Sequence, residues 1–123
     1  MNSNIPILKF SDVLIVTIQT EMHDNVTLAL QEELAEMVDR TGARGVLIDI
    51  SSLDVVDSFM GRSLSTITST VHILDAKAVL IGMQPAVAIT LAELGLSLPG
   101  MQTAMNLEQG IEILNKSLRA GRV

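Results

Sequence analysis

The chain has no cysteine, tryptophan or tyrosine, and Phe10 and Phe59 are its whole aromatic content. The absence of thiols excludes disulfides, thiolate catalysis and thiolate metal sites. Basic residues are scarce too. Eight Lys and Arg, scattered singly, stand against fourteen Asp and Glu, for a formal net charge of −6. That balance argues against nucleic acid or an anionic membrane as a partner, because both select a broad basic face. No apolar run is long enough to span a bilayer, and the N-terminus lacks the basic-then-apolar layout of a signal peptide, so a cytoplasmic protein is expected. What is present is 48% hydrophobic over 123 residues. This fits a single domain over 1–123, with one core built from Leu, Ile, Val, Ala and Met.

The apolar pattern sets an order of elements. Ile5 to Phe10 and Val13 to Ile18 are two short runs joined by Ser11-Asp12, which predicts a hairpin. Pro6 suits an edge strand, because it has no N–H to give to a ladder. Val26, Leu30, Leu34, Met37, Val38 and Thr41 recur at helical spacing, with Gly42 as the stop. Gly45 to Ile50 predicts a strand buried on both faces, as in a parallel sheet. After a loop from Ser51 to Val56, the stripe Met60, Leu64, Ile67, Val71, Leu74 predicts a second helix. Ala78 to Ile81 forms the next strand, closed by Gly82. Pro85 opens a third helix that Gly95 ends. A short strand around Thr103 to Met105 precedes a last helix with the stripe Leu107, Ile111, Leu114, Leu118. The order ββαβαβαβα predicts an α/β fold: a mostly parallel sheet with crossover helices and an antiparallel edge strand. In such sheets functional groups gather beyond the carboxyl ends of the strands. Asp49, the loop to Ser58 and the turn from Gly82 to Pro85 fall there.

Little in the chain supports catalysis. His23 and His72 have no partner at ligand spacing, and no nucleophile elbow, Walker loop or dinucleotide fingerprint is present. Asp49, Asp54 and Asp57 could together bind a cation or form an acid/base pair. The structural reading is better: Asp49 ends a strand, Asp54 sits in a loop, Asp57 can accept backbone N–H bonds at a helix start, and nothing shows that they converge. No cofactor or metal site is expected. Ser58 is the residue to watch. A serine at a helix start is ordinarily a cap, but Asp57 could take that role and leave the Ser58 hydroxyl free in the first turn. A phosphate there would meet free N–H groups and the positive end of the helix dipole, and would add about −1.5 to −2 charges to an already acidic stretch. Ser63, Ser65, Thr66, Thr68, Ser69 and Thr70 give the second helix a hydroxyl-rich polar side. Such a side is cheaper to desolvate than a charged one and is suited to contact with a partner.

The whole ββαβαβαβα order, with Asp57-Ser58 followed by Gly61 and Leu64, resembles the STAS domain family (sulfate transporter and anti-sigma factor antagonist). Ile5 to Lys9 and the long stretch from Gly82 to Gly95 are similar to its stressosome branch, in particular to the stand-alone S-type scaffold subunit. The resemblance implies a single STAS-like domain that is not an enzyme, with Ser58 as phosphoacceptor. Asp57, Phe59, Met60, Gly61, Arg62, Gln84 and Pro85 would form the partner-binding surface around it. Phe59 and Met60 depart from the usual small residue or glycine after the serine, which puts a bulky apolar pair at the docking surface. The implied partners are R-type STAS paralogues in a shell with self-association, a T-type serine kinase that is sequestered and then released by phosphorylation, and a PP2C-type phosphatase that resets the serine. Three alternatives remain: a receiver-like domain with Asp49 as phosphoacceptor, a small enzyme of unknown reaction, and a plain antagonist outside any shell.

Overall fold

The computed structural model describes residues 3–19, 22–96, 98 and 101–120. Nine elements follow in the order β1 (Ile7–Phe10), β2 (Val13–Thr17), α1 (Asp24–Thr41), β3 (Gly45–Asp49), α2 (Ser58–Ile73), β4 (Lys77–Ile81), α3 (Pro85–Glu93), β5 (Met101–Ala104) and α4 (Leu107–Ala120). The five strands form one sheet in the order β1-β2-β3-β4-β5. β1 and β2 are antiparallel, and each later neighbour is parallel. The hairpin turns through Ser11, which takes a left-handed conformation with φ 57°. The first strand is shorter than the apolar run suggests and begins after Pro6. The last one lies at 101–104, two residues before the expected Thr103 to Met105. Its pairing with β4 sets its limits, and Met105 falls past the last paired residue.

The strands follow one another across the sheet in chain order. Right-handed crossovers therefore place α1, α2 and α3 on one face. On that face the main core gathers Leu14, Val16 and Ile18 of β2 and its extension, Leu30 and Leu34 of α1, and Leu64 and Ile67 of α2. Leu80 of β4 and Val87 and Leu91 of α3 complete it. The opposite face holds a smaller cluster of Val13, Leu47, Val79, Ile81, Ala104 and Leu114, covered by α4. Gly45 to Ile48 are buried, as a strand covered on both sides requires.

The helix stripes are wider or rotated relative to the sequence pattern. In α1 the buried residues are Thr27, Ala29, Leu30, Leu34 and Val38, with Val26 only half-buried. The rotation brings Thr27 Oγ1 to donate to Ser63 Oγ of α2 at 3.0 Å, a buried hydroxyl pair. α2 packs on its neighbours as well as on the sheet, and it buries Gly61, Ser63 and Thr68 in addition to its apolar stripe. Leu107 at the start of α4 remains exposed.

α4 approaches the sheet where two glycines clear space. A Cβ on Gly45 would lie 2.8 Å from Leu114 Cδ1, and one on Gly110 would lie 3.1 Å from Leu47 Cδ2. Leu114→Ala is expected to lower stability by about 3 kcal/mol in urea denaturation, the usual loss for a fully buried leucine. Gly45→Ala is expected to cost about 1–3 kcal/mol alone through overpacking. The double variant should lose less than the sum, because the smaller side chain makes room for the added methyl.

Candidate functional site

The loop after β3 leads into α2 at the carboxyl edge of the sheet. Asp49 ends β3, and its Oδ1 accepts from Ser51 N at 2.9 Å, which turns the chain out of the strand. Leu53 and Val56 drop back into the core while Asp54 and Val55 face solvent. Asp57 is the N-cap of α2, in extended conformation (φ −90°, ψ 179°). Its Oδ1 accepts from Met60 N at 2.8 Å, and its carbonyl accepts from Gly61 N at 2.9 Å. The cap position is therefore taken, and Ser58 is the first residue of the helix proper. Ser58 is exposed, and its hydroxyl makes no hydrogen bond among the described residues.

The neighbouring side chains divide sharply by burial. Met60 is 3% exposed and belongs to the main core. Of the apolar pair expected at the surface, only Phe59 retains accessible area. Gly61 is buried as well. A Cβ there would lie 2.6 Å from Leu96 Cδ1 and 3.3 Å from Leu91 Cδ2, so this glycine lets α2 close on α3 and the segment after it. Both effects follow from helical geometry: positions 60, 64 and 67 share the inward face, and 58 and 62 point outward. Arg62 is exposed, one turn on from Ser58.

Two open grooves flank the phosphoacceptor candidate. One, of about 510 Å³, is lined by Met22, His23, Asp24, Asn25, Asp57, Phe59 and Met60. The other, of about 300 Å³, runs between α1 and α2 past Leu28, Gln31, Phe59, Arg62 and Thr66. Leu28 and Val55 are large exposed apolar side chains near this region. Leu28 was missed in the sequence because it falls outside the core stripe of α1, where an outward leucine carries no distinct signal.

Gln84 and Pro85 lie across the carboxyl edge. Gln84 Nε2 donates to Ser51 O at 2.9 Å, tying the β4–α3 turn to the loop that carries Ser58. Gly82 allows this approach. It has φ 72°, and a Cβ would sit 2.7 Å from that of Ser51. Pro85 is exposed at the start of α3 and lines a separate groove of about 540 Å³ with Met83, Ala88 and Met105. The expected partner residues are therefore split: Asp57, Phe59 and Arg62 lie around Ser58, while Gln84 and Pro85 join them only through the Ser51 loop.

The hydroxyl side of α2 is largely spent inside the molecule. Ser63 and Thr68 are buried, Thr70 Oγ1 accepts from Gln31 Nε2 at 2.9 Å, and Thr68 and Thr70 donate to carbonyls of their own helix. Low desolvation cost serves the α1–α2 contact here, while Ser65, Thr66 and Ser69 stay half-buried.

A family model described as the STAS domain matches residues 4–109. The chain belongs to the STAS domain family. It is 42% identical to RsbS S58E from Moorella thermoacetica, with a TM-score of 0.81 over 94% of this chain and 98% of that one. A chain in the structure titled as the molecular architecture of the stressosome, a signal integration and transduction hub, is 44% identical. Its TM-score is 0.82, over 93% of this chain and 99% of that one. Among curated proteins, the RsbT co-antagonist protein RsbRA of Bacillus subtilis (strain 168) is 31% identical over 99 residues, which are 80% of this chain and 35% of the relative. The chain thus spans about a third of that relative's length. Sheet order speaks against the receiver-like alternative as well. Receiver-type doubly wound sheets run 2-1-3-4-5, whereas β1 here is an antiparallel edge strand beside β2. No helix among the described residues is long and apolar enough to cross a membrane.

The cap has a measurable consequence. Asp57→Ala should destabilise the protein by about 1 kcal/mol, while Asp57→Ser should recover most of that loss, because a hydroxyl can accept the same Met60 N–H. Thermal unfolding of the three proteins checks this. Equal melting points for all three would mean that the cap does not hold the α2 terminus.

Proposed function

We propose that this STAS domain is a non-catalytic scaffold of a stressosome-like assembly, and that Ser58 is its phosphorylation switch. It co-assembles with R-type paralogues, holds a T-type serine kinase, and lets the kinase go when Ser58 is phosphorylated; a PP2C-type phosphatase restores the hydroxyl. One observation carries the switch: Asp57 caps α2, so the Ser58 hydroxyl stands exposed at the helix start and, among the described residues, unbonded. The likeness over nearly the full chain to RsbS and to a stressosome chain supports the scaffold role. The likeness to an RsbT co-antagonist supports R-type partners. The RsbS neighbour is a serine-to-glutamate variant, a change that exchanges a hydroxyl for a negative charge.

The release step has a direct physical account. The unmodified surface around Ser58 combines exposed Val55 and Leu28 with half-buried Phe59 and the small neutral hydroxyl. A partner docked there removes that hydroxyl from water at small cost. A phosphate brings about two negative charges beside the Asp57 carboxylate, and burying it without a matched cation is expensive. The helix N-terminus tolerates the group on the free protein, so modification penalises the complex and not the fold. A penalty of only about 2 kcal/mol weakens binding roughly thirtyfold.

Phosphosite mapping by mass spectrometry, with the chain and its Ser58→Ala variant incubated with ATP and the cognate T-type kinase, tests the acceptor. Phosphate is expected on Ser58 and nowhere in the variant; phosphate on another residue of the wild-type chain would remove the switch. In a kinase-binding titration Ser58→Asp should weaken binding by tenfold or more, while Ser58→Ala stays near wild type. Equal affinities for all three would defeat the charge account.

A further inference from the structure

β1 is an edge strand with an unusual distribution of side chains. Leu8 and Phe10 pair with Ile15 and Val13 on the α4 side of the sheet, yet α4 packs on β3, β4 and β5 and leaves them 61% and 59% exposed. On the helix side, Ile7 packs against the main core, and exposed Lys9 stands opposite Leu14. Beside Ile7 is a groove of about 250 Å³ lined by Ile5, Ile7, Glu33, Glu36, Met37 and Arg40.

Antiparallel ladders alternate between residues that bond toward a neighbour and residues that bond away from it. Thr17 N donates to Pro6 O, so residues 6, 8 and 10 bond toward β2. The N–H and C=O groups of Ile7 and Lys9 therefore point to the open edge, where the sheet has no further strand among the described residues. Pro6 lacks its N–H on the β2 side, so it does not blunt this edge as an edge proline otherwise can.

We propose that a second copy of this chain docks on β1, antiparallel, about a two-fold axis at Leu8. The two sheets become one. Ile7 of each copy exchanges both backbone hydrogen bonds with Lys9 of the other, and the two Leu8 side chains face each other as the close, non-hydrogen-bonded pair. Directly opposed residues share a face. Leu8 thus meets Leu8 on the α4 side, beside the exposed Phe10. On the helix side Lys9 lands next to the other copy's Ile7, at the groove that holds Glu33 and Glu36. Apolar surface and backbone groups are self-complementary in this register, as an isologous contact requires, and Lys9 adds a cation beside a groove where Glu36 already pairs with Arg40 at 3.6 Å. Centring the axis on Lys9 would instead set two ammonium groups opposite each other. The contact is small. A four-residue strand pair falls short of the roughly 1,200 Å² that a stable interface buries, so it suits an assembly in which many weak contacts act together. The pairing depends on the fold alone and is independent of Ser58 modification.

The lack of cysteine makes the test clean. Full-length Leu8→Cys, at high concentration under mild oxidation, should form a disulfide-linked dimer. Phe10→Cys lies on the same face and is equally exposed, but in this register the two copies of residue 10 are offset by four residues, about 13 Å. It should crosslink at least tenfold more slowly. Adding Lys9→Glu to Leu8→Cys should slow crosslinking several-fold, and a further Glu36→Lys should restore it. Equal rates for Leu8→Cys and Phe10→Cys, no crosslink for Leu8→Cys, or no effect of the charge exchange would each overturn the proposal. Circular dichroism of every variant separates these outcomes from misfolding.

Discussion

The register of β3 between β2 and β4 is the constraint on which the rest depends. Val46 pairs with Leu14 on one side and Ala78 on the other, and Asp49 ends level with Thr17 and Ile81. A strand covered on both faces cannot slip by one residue without turning Val46 and Ile48 from the helix-side core into the α4-side cluster. Fixing β3 fixes where the chain leaves the sheet, and so fixes the start of the Ser51 loop. The loop's length and the Asp57 cap then place Ser58 at the outer end of α2. The exposed hydroxyl is a consequence of buried pairing several residues upstream.

The same architecture separates the two surfaces proposed for partner contact. Crossovers of one hand crowd three helices onto one face, and α4 alone serves the other. One helix cannot cover five strands, which is why β1 keeps Leu8 and Phe10 in solvent. Ser58 belongs to the carboxyl edge of the parallel strands and β1 to a lateral edge of the sheet. A kinase at one and a second STAS domain at the other would not compete for the same residues. Phosphorylation could release the first partner while the scaffold remains assembled.

Internal ties hold the loop and helix start that carry Ser58. Gln84 holds the carbonyl of Ser51, and Gly82 leaves room for that contact. Gly61 lets α2 close on the segment beyond α3. The buried Thr27–Ser63 bond and the Gln31–Thr70 bond join α1 to α2 through uncharged side chains. These contacts explain an oddity of the composition. A helix with many hydroxyls and few charges is usual for a surface that must be desolvated, and here much of that desolvation occurs within the fold.

The sequence by itself determined the element order, the parallel sheet with its antiparallel hairpin, the double burial of Gly45 to Ile48 and the place of Ser58 at a helix start. Each is a local signal: apolar periodicity, a two-residue turn, a proline or glycine at a terminus. It also left a choice open at that helix start, because Asp57 and Ser58 are both good capping residues. Only the tertiary structure decided between them, by the path on which the loop enters α2. Likewise only the fold sent Met60 and Gly61 inward, gave Ser63 and Thr68 to the core, rotated α1 toward Thr27 and left Leu8 and Phe10 uncovered. Periodicity reports which face of a helix or strand is apolar, but not how many neighbours will come to cover it. That number depends on strand order and crossover hand, which no single segment encodes.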